Sequence, residues 1–211
     1  MASPVRLGVL ISGSGRTLQN FMDLAQAGRL KARVVKVVSS RPDAYGLERA
    51  RAGGVPAATV SRRDFDSIGE FSDAITAELH AEQVELVAMA GFLSLYRYPP
   101  DYADRVLNIH PALLPSFGGK GFYGDRVHQA VLDYGCKVSG CTVHLASNQY
   151  DKGPIILQKT VPVLEDDDAH SLADRIFAME TEAYPEAINL YAEGRLRVEG
   201  RRVRILPPRK G

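Results

Sequence analysis

Cysteine is scarce in this chain. Only Cys136 and Cys141 occur, separated by KVSG. That spacing fits neither a CxxC redox motif nor a paired zinc knuckle, so the two read as small, reduced residues of a cytoplasmic protein. No run of about 18 apolar residues exists, and none of the hydrophobic stretches is long enough for a membrane span. The start of the sequence lacks a basic segment followed by an apolar segment and a cleavage site, which also points to the cytoplasm. Charge of one sign is lacking too. The formal net charge is only +1, which gives no global reason to expect nucleic acid or an anionic membrane as partner. Basic clusters occur at Arg201-Arg202 and Arg209-Lys210, where a solvated tail is the expected reading.

What the chain does contain is an ordinary globular composition. Of its 211 residues 45% are hydrophobic and 24% charged, enough to build one domain around a real core. Strand-like runs at residues 5–11, 32–38, 57–60, 84–90 and 106–109 alternate with helical patterns at 18–24, 44–52 and 68–80. This alternation predicts parallel strands with crossover helices on both faces, a doubly wound α/β sheet of Rossmann type. The second half reads differently: a helix at 127–132, strands at 139–146 and 154–163, and a long helix over 169–190. The last twenty residues predict a hairpin turning at Glu199-Gly200. The expected organisation is a single domain over 1–211, with a nucleotide-binding half to about 110 and a catalytic half after it.

Ser12-Gly13-Ser14-Gly15-Arg16-Thr17 links the first strand to the first helix. Glycines let a backbone approach a ligand, and the N–H groups of a helix start favour an anion. The third glycine of a dinucleotide fingerprint and the GKS/T ending of a P-loop are both missing. A single phosphate therefore fits better than a nicotinamide cofactor or ATP, although an ordinary strand-to-helix turn would use the same residues.

Leu107-Asn108-Ile109-His110-Pro111 lies where a strand leaves the sheet. Residues two apart on a strand share a side, so Asn108 and His110 converge. Histidine can carry a proton near neutral pH, and an asparagine amide can donate to a developing oxyanion. Thr142 and His144 share a side of a later strand in the same way. Asp151 sits in a DKGP turn, where aspartate is commonly just a turn former. A carboxylate near His110 would raise its pKa and orient it. His80 and His170 read as surface histidines.

The segments LISGSGRTLQNF, AYGLERARAGGVP, MAGFLSLY, VLNIHPALLPSF, GCTVHL, DKGPIILQ and METEAYP carry a resemblance. They resemble the folate-dependent formyltransferases, and within these the glycinamide ribonucleotide formyltransferase family of purine biosynthesis. The resemblance runs from about residue 8 to about residue 190. It implies a formyltransferase fold, with a C-terminal antiparallel extension and a long helix. It implies transfer of a formyl group from 10-formyltetrahydrofolate to the amine of glycinamide ribonucleotide. Asn108, His110 and Asp151 fall on the catalytic trio, with His144 in support. Gly15, Arg16 and Thr17 fall on the loop for the substrate phosphate, and Glu180 on a substrate-binding glutamate. Leu93, Ser94, Leu95 and Tyr96 fall on the segment lining the folate pocket, which Asn108 also faces. No metal is implied, because the formyl donor is already activated; a homodimer is.

There are departures. Some family members carry arginine at the position of Ser94 and asparagine at that of Thr17, and the stretch SNQY at 147–150 is less acidic than in many. Residues 118–121, GGKG, are a candidate lid, with Lys120 near a phosphate or the glutamate tail of folate. Two rivals share NxHP and DxGP: formyltetrahydrofolate hydrolase and methionyl-tRNA formyltransferase. Both are expected to bring an extra domain that this sequence does not show. A module that binds a phosphorylated ligand without turnover has no need of all three trio residues.

Overall fold

The computed structural model describes residues 3–208, so the Arg209-Lys210 cluster lies outside the described residues. The chain divides into two compact units, Met1–Leu107 and Asn108–Gly211.

In the first unit, strands β1 (Val5–Ile11), β2 (Ala32–Ser39), β3 (Ala57–Thr59) and β4 (Leu86–Met89) lie in the order β3-β2-β1-β4. Every pairing among them is parallel. Leu7, Val9, Leu10 and Ile11 of β1 are fully buried, as Val37, Val38, Leu86, Val87 and Ala88 are. Strands covered on both faces read as near-continuous apolar runs, which is why they were legible. The crossovers are helices α1 (Arg16–Gln26), α2 (Gly46–Ala52) and α3 (Ile68–Ala81). A capping box starts α3: Ser67 Oγ accepts from Glu70 N, and Glu70 Oε2 accepts from Ser67 N. Phe71 of α3 stacks on Phe92 within the core. Two short 3-10 turns, Arg62–Asp64 and Pro100–Tyr102, escaped the sequence reading because three residues show no period.

Strand β5 (Val106–His110) contains the boundary between the units. The second unit holds the end of β5, helix α4 (Asp125–Asp133), strands β6 (Val138–Leu145) and β7 (Ile155–Pro162), helix α5 (Ala169–Ala192), and strands β8 (Leu196–Glu199) and β9 (Arg202–Ile205). Strand order within this part is β5-β6-β7-β9-β8. The β6–β7 and β8–β9 pairs are antiparallel, but β9 meets β7 in parallel, at Ile155 and Arg202. The hairpin thus docks by its second strand, leaving β8 outermost. Helix α5 packs on β6 and β7 with Leu172, Ile176, Ala183, Tyr184 and Ala187 buried. A box formed by Asp168 and Ser171 caps it. Among the described residues, no helix is long and apolar enough to cross a membrane.

Candidate functional site

Three polar side chains of the second unit gather on Asp151. Asn108 and His110 stand two apart on β5, and His144 stands near the end of β6. Asp151 comes from the turn between β6 and β7. Its backbone is left-handed (φ 53°), which aspartate tolerates better than most residues and which directs the carboxylate inward. Two residues on, Gly153 is required by packing: a Cβ there would run into the Leu145 carbonyl oxygen. The carboxylate receives Asn108 Nδ2–H at 3.3 Å and Gly119 N–H at 2.9 Å. His110 Nδ1 lies 3.6 Å away and His144 Nε2 3.7 Å away, too long for direct hydrogen bonds but close enough for strong electrostatic coupling. Only 10% of the Asp151 side chain is exposed.

His144 is set by its own strand. Its Nδ1 donates to the Leu145 carbonyl at 2.7 Å, leaving Nε2 to accept from Asn108 Nδ2 at 3.1 Å. Both amide hydrogens of Asn108 are therefore engaged, one by His144 and one by Asp151. Thr142 shares the face of His144 and fixes the segment after His110. It donates to the Ala112 carbonyl (2.6 Å) and accepts from Leu114 N–H (3.0 Å) and Gln158 Nε2 (2.9 Å). Buried Thr142 is thus a positioning group that sequence spacing left without a role.

Burial alone would raise the Asp151 carboxyl, but His144, His110 and the Gly119 N–H outweigh it and hold it below the usual carboxylate range. Asp151 is ionised. Burial dominates at His110 and lowers its imidazole, against the pull of Asp151 and the Phe117 carbonyl. The carboxylate was expected to raise His110; it does pull that way, and desolvation wins because the ring is almost fully enclosed. His128, on α4, is a buried imidazole the sequence reading missed, since nothing in its spacing distinguishes it from a surface residue. Its Nδ1 has no hydrogen-bond partner among the described residues. Burial lowers it, Asp125 pulls it up, and His110 pushes it further down.

Glu180 lies on α5, half-buried, and its charge helps push the buried Cys141 thiol of β6 up to about 12, behind the larger effect of burial. The 118–121 stretch is tied down at Gly119 by Asp151, and Lys120 is exposed.

The remaining candidates lie in the first unit. Gly15 precedes α1 with φ 70°, and a Cβ there would meet the Gly46 Cα at 2.6 Å, so the loop packs on the start of α2. Gly46 N–H donates to the Gly13 carbonyl, and Arg49 Nε to that of Ser14. Arg16 is exposed and Thr17 half-buried, both in the first turn of α1. Ser12 ties the end of β1 to the 93–96 segment: its Oγ accepts from Leu93 N–H at 3.0 Å and bonds Ser40 Oγ at 2.6 Å. Leu93 is half exposed, Ser94 and Leu95 are intermediate, and the Tyr96 side chain points into the core, bonded to Thr76. For Tyr96 only the backbone is left for a ligand. His80 and His170 are both exposed, each beside an aspartate. Among the described residues no group of His, Cys, Asp or Glu is arranged to hold a metal ion.

Residues 5–188 match the family model described as formyl transferase. A phosphoribosylglycinamide formyltransferase of Haemophilus influenzae is 35% identical, over 92% of this chain and 90% of its own length. The trifunctional purine biosynthetic protein adenosine-3 of Drosophila melanogaster is 39% identical over 90% of this chain, which spans only 14% of that protein. A crystal structure of glycinamide ribonucleotide transformylase 1 from Symbiobacterium toebii superposes with a TM-score of 0.91 at 48% identity, covering 98% of this chain and 96% of the other.

Proposed function

We propose that this chain, which belongs to the formyl transferase family, transfers a formyl group from 10-formyltetrahydrofolate to the primary amine of glycinamide ribonucleotide. The products are formylglycinamide ribonucleotide and tetrahydrofolate, in purine biosynthesis. The observation that carries this reading is the convergence of Asn108, His110 and His144 on one buried, ionised Asp151. A binding protein gains nothing from enclosing such a set, whereas acyl transfer uses each kind of group.

The amine attacks the formyl carbon, and a tetrahedral oxyanion forms. Asn108 Nδ2–H stabilises that oxygen. The formyl oxygen replaces Asp151 as acceptor of the longer of the two Asn108 hydrogen bonds, while His144 keeps the amide oriented. His110 takes the proton leaving the amine, and Asp151 stabilises the imidazolium so formed. The proton ends on the folate nitrogen as its bond to the formyl carbon breaks. In the first unit Gly15, Arg16 and Thr17 receive the substrate phosphate at the start of α1, where the N–H groups of a first helical turn and the helix dipole favour an anion. Leu93, Ser94, Leu95 and the Tyr96 backbone serve folate; Glu180 serves the ribonucleotide. The chemistry calls for no metal. The compartment we propose is the cytoplasm and the assembly a homodimer, for which light scattering is the test.

The decisive assay measures formyl transfer to glycinamide ribonucleotide beside a control lacking the amine. Formate release in the control at the rate of the complete reaction would reassign the protein as a hydrolase. Tight ligand binding without either product would leave a binding module.

A further inference from the structure

The short turn at residues 117–119 touches both members of the His110–Asp151 pair, and does so with backbone atoms. The Phe117 carbonyl oxygen lies 2.7 Å from His110 Nε2, while Gly119 N–H donates to Asp151 Oδ2. A carbonyl oxygen can only accept, so the hydrogen in the first contact belongs to Nε2. In neutral His110 the lone pair then sits on Nδ1. Nδ1 is the nitrogen that faces Asp151 Oδ2, 3.6 Å away. Lone pair and carboxylate confront each other until a proton arrives between them.

The backbone that aims this carbonyl is unusual. Phe117 has φ 52°, in the left-handed region where a bulky residue without a local hydrogen-bonding side chain is rare. Such a conformation persists only where its surroundings impose it. Here the Phe117 ring is held edge-on by Phe122 and Tyr134, and Gly118 lies so close to the Leu114 side chain that a Cβ would collide with it. The titratable groups acting on His110 are Asp151 from the β6–β7 turn and His144 from β6; His110 in turn acts on His128 of α4, which Asp125 also faces. Among these only Asp151 favours a charged His110.

We propose that Phe117 is a positioning residue: its left-handed backbone fixes the His110 hydrogen on Nε2 and so makes Nδ1, on the Asp151 side, the nitrogen that accepts and returns the proton during formyl transfer. In that step the amine N–H bond breaks as the new C–N bond forms, and the proton adds to the Nδ1 lone pair. It leaves Nδ1 for the folate nitrogen as the old C–N bond breaks. The activity half of this statement rests on the function proposed above; the tautomer half does not.

Long-range proton–nitrogen NMR on the 15N-labelled, ligand-free full chain reads the tautomer directly, beside turnover of Phe117→Gly and Phe117→Pro. Both variants lose the same ring contacts. Glycine adopts φ near +52° freely, whereas proline holds φ near about −65°. Expected are an Nε2–H tautomer in the parent and the glycine variant, its loss in the proline variant, and a kcat for proline roughly tenfold or more below that for glycine at similar KM. An Nδ1–H tautomer in the parent, or equal kcat and equal tautomer in the two variants, overturns the proposal. If the proline variant does not fold, Phe117→Asn, which tolerates the left-handed region, and Phe117→Val, which does not, replace the pair. An Nε2–H parent that transfers no formyl group would leave the tautomer standing and overturn the assigned reaction.

Discussion

The loop at residues 13–17 and the cluster around Asp151 are built from opposite materials. The loop is made of glycines, small hydroxyl residues and the start of a helix, so what it offers a ligand is mostly backbone. The cluster is made of buried side chains whose charges and tautomers depend on one another. Backbone N–H groups hold a charge that is present throughout a reaction, so they act on ground state and transition state alike. A side-chain network can respond to charge that develops only during the reaction, and that response is what raises kcat. The two regions should therefore fail in different ways.

The largest effect is expected at the centre of the network. Asp151→Asn should lower kcat by roughly a hundred- to a thousandfold in the formyl-transfer assay, with an unchanged melting curve. Asn108→Ala should cost about a hundredfold, since one donor to a developing oxyanion is worth roughly 3 kcal/mol. Near-normal turnover in either would remove the cluster from the chemistry. Gly15→Val should instead raise KM for glycinamide ribonucleotide by about tenfold at nearly constant kcat. It should also lower stability by ~1–3 kcal/mol, because φ 70° and the nearby Gly46 leave no place for a branched side chain. A drop in kcat as large as that at Asp151 would erase the contrast between the regions.

A pH profile sharpens the comparison further. Burial holds His110 below its ordinary value of 6.5, so the neutral, proton-accepting ring prevails at neutral pH. The acid limb of kcat/KM should fall below pH 6.5 and, because Asp151 pulls His110 upward, should move lower still in the residual activity of Asp151→Asn. Stability follows the same sign. The unfolded imidazole takes its proton near 6.5 and the folded one only at lower pH. This contribution is thus complete above 6.5 and is lost as pH falls through the folded value. A limb that rises in Asp151→Asn would reverse the assignment. Smallest is a control outside both regions: Asp168→Ala removes the α5 cap and should cost about 1 kcal/mol in denaturant titration without touching kcat or KM.

The fold was largely legible because its signals are redundant. β1 is bounded as expected at Val5–Ile11, and α5 runs only two residues beyond the expected 190. Helix α1 begins at Arg16 rather than 18 because its first turn is polar and shows no apolar period. β4 spans Leu86–Met89, shorter than the expected 84–90, since apolar character outlasts ladder pairing at both ends. The cluster was legible in part. Strand parity alone placed Asn108 and His110 together. Asp151 joins them through a left-handed turn residue, and the Phe117 carbonyl through another, and neither backbone angle is written in residue identity. Thr142 was left without a role and His128 was missed for a related reason: their burial comes from what packs on them, not from their own polarity.

The two cysteines, unremarkable in composition, differ sharply in place. Cys141 is buried on β6 with its thiol pushed up to about 12, so almost no nucleophilic thiolate forms there in ordinary buffers. Cys136, just past the end of α4, is partly open to solvent. A maleimide dye should therefore attach at one position in the native protein and at two once it is unfolded. The parent sequence thus carries its own fluorescent reporter site beside the helix that holds His128, with no engineered thiol.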